Sequence, residues 1–106
     1  MDAPPGCCVE IFVPLIRGDG QPVAKGYLAD LERRLTERFG GVTAFTRAPA
    51  RGRWADDGQV QTDDVVIYEV MAPNLDRPWW GELRQRLERE LDQEEVLIRA
   101  HAVERL

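Results

Sequence analysis

The same apolar stripe occurs twice in the sequence, each time within a stretch as long as a short helix. Residues three and four apart share one face of an α-helix, and both stripes advance by three, four and four. The spacing predicts two amphipathic helices, over about residues 23–39 and 78–93, each with one face to bury. Their stripes are Leu28, Leu31, Leu35 and Phe39 in the first, and Trp80, Leu83, Leu87 and Leu91 in the second.

Four stretches around these helices have the composition or alternation of β-strands. The third is the richest in β-branched and aromatic residues, which predicts a central strand. The second is weaker and is followed by Pro49, which suits an edge because proline cannot donate to a strand ladder. The predicted strands are Cys8–Leu15, Val42–Thr46, Asp63–Met71 and Glu95–Val103.

A hairpin signal lies between the second and third predicted strands. Asp56-Asp57-Gly58 separates residues 51–55 from residues 59–62, and Asp-Gly favours the tight turns that join antiparallel strands. The two strands are therefore predicted to continue as a protruding β-arm that carries Trp54.

The resulting order of elements is β-α-β-β-α-β, which is the ferredoxin-like plan. In this α+β plan a four-stranded antiparallel sheet has the strand order four, one, three, two, and both helices cover one face. We expect residues 8–106 to form one such domain and residues 1–7, rich in proline and glycine, to be a flexible lead-in.

Composition narrows the environment and the partners. The chain has 106 residues, of which 43% are hydrophobic and 31% charged, as in soluble globular proteins. Its formal net charge of -5 disfavours nucleic acid and anionic membranes as partners. The start of the chain has no signal-like segment, and the adjacent Cys7 and Cys8 are poorly placed for a disulfide, so we predict a cytoplasmic protein with reduced thiols.

A sheet with helices on one side leaves its other face open. Alternation places Val9, Ile11 and Val13 of the first strand toward the helices, and hence its other residues on the open face. The same argument for the third and fourth strands brings four charged or titratable side chains to the open face, namely Glu10, Glu69, Arg99 and His101.

This cluster has two interpretations. As a ligand or catalytic site, Glu10 or Glu69 would be the general base, Arg99 would bind an anionic substrate, and His101 would donate a proton. As a structural feature, the same side chains would form an ion-pair network that solubilises the face or selects a partner, with Arg99 and His101 as the expected partners of Glu69. The spacing of these residues gives no reason to predict a metal ion, and the chain lacks the motifs of phosphate loops, redox cysteine pairs and triad hydrolases, so no cofactor is predicted.

Five short runs resemble those of a family of small uncharacterised bacterial proteins of about this length. The resemblance spans nearly the whole chain after the lead-in. It implies the ferredoxin-like plan and a function not yet assigned, and no catalytic residue is carried over from it. The runs are Phe12–Leu15, Glu37–Gly41, Gly52–Trp54, Ile67–Val70 and Gln93–Ile98.

Many domains of this plan pair through the open sheet face, and the mixed apolar and charged face predicts a homodimer here. Phe12, Ile67, Leu97 and Val103 would pack across the two-fold axis. Among the tryptophans, Trp80 belongs to the helical stripe, whereas Trp54 and Trp79 are candidate interface residues because tryptophan is enriched at partly dry surfaces.

Two functions follow from these patterns. The first is a binding or interaction module that dimerises through its open sheet face, with a small anionic ligand or a protein as a further partner. The alternative is a small-molecule enzyme of the dimeric α+β barrel type that uses Glu69, Arg99 and His101. An RNA-recognition module is disfavoured because Ile67 and Glu69 occupy the third-strand positions where that module carries stacking aromatics.

Overall fold

The computed structural model describes the backbone of residues 6–56 and 59–106 and the side chains of residues 6–45 and 65–106. The elements follow the predicted β-α-β-β-α-β order. They are β1 (Gly6–Pro14), α1 (Lys25–Phe39), β2 (Thr43–Asp56), β3 (Gln59–Ala72), α2 (Arg77–Glu90) and β4 (Ile98–Val103).

The four strands form one antiparallel sheet in the order β2-β3-β1-β4. This confirms the ferredoxin-like topology, with the first and third strands in the centre. The long β2 and β3 pair as far as Asp56 opposite Gln59, and their register shifts between Phe45 and Ala50, the segment that contains Pro49. The predicted turn at residues 57–58 lies outside the described residues, as do residues 1–5 of the predicted lead-in.

Both helices pack on the same face of the sheet. Alternate residues of β1 and β3 meet the two helical stripes in one cluster, in which most members are almost fully buried. Alternation along a strand sends every second side chain to one face, so the rest point to the uncovered side. The buried cluster comprises Val9, Ile11, Val13, Leu31, Leu35, Val66, Tyr68, Val70, Trp80, Leu83, Leu87, Leu91 and Val96.

The Tyr68 side chain brings a hydroxyl group into this core. The side chain is 0% exposed, and its Oη donates a hydrogen bond to the Glu32 carboxylate of α1 over 3.2 Å. Burial, followed by the negative charge of Glu32, raises the pKa of Tyr68. The central strand is thereby tied to α1 through a polar contact as well as through packing.

The helix ends follow their local sequence. Gly40 closes α1 in the left-handed conformation, with φ of 83°, and its N–H donates to the Thr36 carbonyl, as expected for a glycine after a helix. Asp76 caps α2 by accepting a hydrogen bond from the Trp79 N–H, with Pro78 in the first turn.

β4 begins three residues later than predicted. Val96 still belongs to the core, but its N–H donates to the Glu88 carboxylate of α2 over 3.0 Å instead of to a neighbouring strand. β1 begins earlier than predicted, at Gly6 instead of Cys8.

The connection between β1 and α1 packs against the end of α2. The Gly18 N–H donates to the Leu91 carbonyl over 3.0 Å, and the Arg17 guanidinium donates to the Glu90 carbonyl. A Cβ atom at Gly18 would lie 1.7 Å from the Asp92 carbonyl oxygen. Only glycine allows this approach without a shift of the backbone.

Candidate functional site on the open sheet face

The open sheet face consists of rows of side chains that cross the strands. Glu69 lies opposite Thr43 of β2 on one side and Glu10 of β1 on the other, and Glu10 lies opposite Arg99 of β4. These four residues form what we call the charged row. Facing residues of neighbouring antiparallel strands interact directly, so the row brings two carboxylates side by side in the middle of the sheet.

An apolar row runs beside the charged row. Phe12 lies opposite Ile67, and Ile67 lies opposite Phe45. Leu97 extends the row beyond Phe12, since the Phe12 N–H donates to the Leu97 carbonyl over 3.0 Å. Phe45 is 47% exposed and Leu97 is 48% exposed. The row is therefore an apolar band that the protein's own helices leave uncovered.

On the other side of the charged row lies a third row. Cys8 is opposite Met71 on β3 and His101 on β4. Cys8 is 2% exposed, whereas Met71 is 43% exposed. The open face thus places a polar strip between two largely apolar ones.

Glu10 is the acceptor around which the basic residues gather. The Arg99 Nε donates to Glu10 Oε1 over 2.9 Å, and His101 Nδ1 lies 3.9 Å from the same oxygen. The Glu10 side chain is 16% exposed, compared with 60% for Arg99. The carboxylate is consequently held near the sheet, while the guanidinium is open to a partner.

The Arg99 guanidinium also covers Phe12, with its Cζ 4.9 Å from the ring centroid. Such a cation–π contact fixes the position of the charge over the aromatic face. It links the charged row to the apolar row, so that a molecule that covers one meets the other.

Glu69 has a different environment from Glu10. It lies on the far side of β1 from Arg99 and His101, and its carboxylate is next to the Cys8 thiol. Burial, followed by the hydrogen-bonding contact with Glu69 and the negative charges of Glu69 and Glu10, raises the pKa of Cys8 to about 12. The thiol therefore stays protonated at neutral pH and is a poor nucleophile.

The four predicted site residues all belong to strands of the open face, but they form two groups. Arg99 and His101 lie close to the Glu10 carboxylate, while Glu69 lies on the opposite side of β1 from both of them. The expectation that Glu69 takes Arg99 or His101 of its own chain as partner does not match this geometry, because β1 separates β3 from β4.

The three candidate interface aromatics lie in different places. Phe12 is in the apolar row. Trp79 belongs to the helix layer, where its ring meets Phe39 edge-on at 5.3 Å and the Arg38 guanidinium covers it at 4.4 Å. Trp54 is on β2, opposite Gln61, and its side chain lies outside the described residues.

Two large apolar residues of the open face were not predicted from the sequence, namely Phe45 and Met71. Both are large and apolar, and both are more than two-fifths exposed. Met71 could have been found by continuing the alternation of Ile67 and Glu69 along the third strand. Phe45 needed the register of β2 against β3, which the irregularity after Phe45 conceals.

Among the described side chains, those of residues 6–45 and 65–106, no group of three or more histidine, cysteine or acidic residues is placed to hold a metal ion. Over the same ranges, neither helix has the length and hydrophobicity to cross a membrane.

No protein-family model and no curated protein matches the chain. Two chains of solved structures match it, and one of these is described as a phage SAM lyase in complex with S-methyl-5'-thioadenosine. That protein is 17% identical, superposes with a TM-score of 0.58, and is aligned over 99% of this chain and 94% of its own. The likeness supports the α+β fold that the sequence predicts.

Proposed function

We propose that the protein is a binding module that acts through its open sheet face, and that its primary partner there is a second copy of the same chain. The observation that carries the proposal is the apolar row of Phe45, Ile67, Phe12 and Leu97, which crosses β2, β3 and β1 and ends at the residue before β4. Neither helix covers it, and Phe45 and Leu97 are about half exposed.

The free energy for association comes from covering this row. Burial of a Phe, Ile or Leu side chain contributes about 1.5–3 kcal/mol relative to full exposure, and Phe45 and Leu97 retain nearly half of their exposure in the single chain. A contiguous apolar band bordered by polar groups is typical of a protein interface. The polar border here is the charged row, which lies directly beside the apolar row.

A second copy suits this face because the face carries both signs of charge. Glu69 on the β3 side and Arg99 on the β4 side give it an acidic and a basic half. A surface with both halves can be complementary to itself under two-fold symmetry. The free thiols of Cys7 and Cys8 fit the cytoplasmic location that we propose for this dimer.

We expect the protein to sediment as a dimer at high micromolar concentration and Leu97→Asp to sediment as a monomer. The substitution places a carboxylate in the apolar row, where association would bury it without a partner. Sedimentation velocity over a concentration series measures the change.

Ile16→Asp is the matched control, since Ile16 is 50% exposed but lies in the connection after β1 instead of on the open face. This variant should remain dimeric. A wild-type protein that sediments as a monomer at high micromolar concentration would contradict the proposal, and so would an Ile16→Asp variant as defective as Leu97→Asp.

A second candidate function is the binding of a small molecule at Glu10, Arg99 and His101. Two observations favour it. The structural neighbour is a phage SAM lyase in complex with S-methyl-5'-thioadenosine. In this chain the exposed Arg99 guanidinium lies beside an aromatic ring and a carboxylate, groups that can position a polar ligand. The alternative function, an enzyme with Glu69, Arg99 and His101 as its acid/base and anion-binding groups, would use the same cluster. It would require catalysis in addition to ligand binding.

Thermal unfolding with and without S-methyl-5'-thioadenosine, alongside a panel of small anions, tests this candidate. A ligand of the site should raise Tm, and Arg99→Ala should abolish the rise. Arg89→Ala, on the exposed side of α2, should preserve the rise. A rise that survives Arg99→Ala would place the ligand elsewhere on the protein.

A further inference from the structure

Among the arrangements that bring the open faces of two copies together with the two-fold axis parallel to the strands, two differ in the charges that meet on β3, β1 and β4. In the first, the two-fold axis runs between β3 and β1, the middle of the sheet. In the second, it runs along β1. Facing sheets with near-aligned strands pack about 10 Å apart, so each arrangement decides which side chains of the two copies meet.

An axis between β3 and β1 places β3 of one copy over β1 of the other. Glu69 would then face Glu10 of the second copy, and this contact would occur twice in the dimer. Facing carboxylates oppose association, and the Arg99 guanidinium would lie at the periphery, over Thr43 of the other copy.

An axis along β1 places β3 of one copy over β4 of the other. Glu69 then faces Arg99 of the second copy, and by symmetry Arg99 faces the second copy's Glu69. In the apolar row, Ile67 meets Leu97 of the other copy and Phe12 meets Phe12. Apolar groups then face apolar groups, and Glu69 faces Arg99 of opposite charge on both sides of the axis. One like-charge contact remains, between the two copies of Glu10 at the axis, but each of these carboxylates is already paired with Arg99 of its own chain.

We infer that the second copy packs with the two-fold axis along β1, so that Glu69 of each copy pairs with Arg99 of the other. The inference rests on the proposed homodimer and specifies its geometry. Arg99 would lie between Glu10 of its own chain and Glu69 of the second, which gives the carboxylate on β3 the cationic partner that β1 keeps away within one chain.

Charge reversal distinguishes the two axes. Glu69→Arg would place two arginines face to face twice in its own dimer, and Arg99→Glu would do the same with glutamates. We expect each variant alone to raise the dimer Kd by about tenfold or more. A mixture of the two variants should form heterodimers near wild-type strength, because the introduced arginine then faces the introduced glutamate in one contact and the native pair is retained in the other.

Association in the mixture is measured by sedimentation equilibrium and by native mass spectrometry, which separates heterodimers from homodimers. The control pair is Glu82→Arg with Arg89→Glu, both on the exposed side of α2, which should leave the dimer Kd unchanged alone and mixed. If either reversal does not fold, as judged by circular dichroism, Glu69→Gln and Arg99→Gln take its place. Their combined loss should be smaller than the sum of the single losses.

Three results would overturn the inference. A Glu69→Arg variant that dimerises more tightly than wild type would indicate the axis between β3 and β1, where the new arginine meets Glu10. Variants that associate no better mixed than alone would exclude the Glu69–Arg99 pair while the proposed dimer stands. A dimer unaffected by either reversal, but disrupted by Leu97→Asp, would show that the charged row lies outside the contact.

Discussion

At the scale of single residues, Cys8 and Glu69 show how a polar group is buried on the open sheet face. Cys8 is buried although its side chain points away from the helices, and its thiol lies next to the Glu69 carboxylate. The neutral thiol is compatible with that burial and the thiolate is not. The site therefore contains a cysteine that contributes packing instead of reactivity.

Cys8 should make the protein sensitive to high pH. Burial and the adjoining carboxylates raise the pKa of Cys8 from 9.0 to about 12, so the unfolded chain releases this proton at a lower pH than the folded one. The contribution of the protonated Cys8 thiol to stability is then complete below pH 9 and is lost as the pH rises toward 12. We expect the free energy of unfolding to fall by more than about 1 kcal/mol on this account.

Urea denaturation at a series of pH values from neutral to alkaline measures this fall. Cys8→Ala should flatten it, although not completely, because burial also raises the pKa of Tyr68. Cys7→Ala, which retains Cys8, should preserve the Cys8 contribution. An equally steep fall in Cys8→Ala would show that the thiol is not the group responsible.

At the scale of elements, the connection between β1 and α1 joins the two halves of the fold by packing against the end of α2. The connection that follows β1 approaches the backbone after α2 so closely that residue 18 has no room for a side chain. Three hydrogen bonds across this contact join Ile16, Arg17 and Gly18 to residues 90–93. The first β-α-β half thus supplies the cap for the second helix.

We expect Gly18→Ala to lower the free energy of unfolding by about 2 kcal/mol or more, since its Cβ would meet the Asp92 carbonyl oxygen and the backbone must shift. Gly81→Ala is the contrasting variant. Gly81 lies inside α2 with open space around its Cβ position, and alanine there should add about 0.5–1 kcal/mol. Chemical denaturation of the two variants measures both changes; an unaffected Gly18→Ala variant would mean that this contact opens without cost.

The elements themselves were largely predictable from the sequence. The repeated stripe located both helices because their one apolar face is a local property of the chain, and alternation did the same for the strands. The start of β4 was not predictable, because the Val96 N–H donates its hydrogen bond to Glu88, a residue on another element. Strand ends depend on such partners, and the pattern of one segment does not contain them.

At the scale of the whole molecule, the sequence predicted which charged side chains share the open face but not which of them pair with each other. Glu10, Glu69, Arg99 and His101 were expected to share that face, and their strands place them there. Which carboxylate holds Arg99 depends on the register of β1 with β4. Registers are set by the packing of the complete sheet, so Glu10 as the acceptor of Arg99 emerged only from the structure.

The same limit applies to the apolar row. Phe12, Ile67 and Leu97 were expected to pack across a two-fold axis, but the extent of the row became visible only when the register added Phe45. A self-complementary surface is a property of all four strands in their places. The oligomeric state and the charge-reversal mixture therefore test the assembled sheet instead of any one element.

The pairing of β1 with β4 makes the fold suitable for circular permutation. Gly6 lies opposite Val103, so the two ends of the fold leave the sheet side by side at one corner. A linker of a few residues could join them, and new ends could be opened between Gly40 and Gly41, where an added Cβ would meet nothing within 4 Å. Such a circular permutant would order the strands differently along the chain and yet present the same rows to a partner, because the open face depends on which strands are neighbours and not on how they are connected.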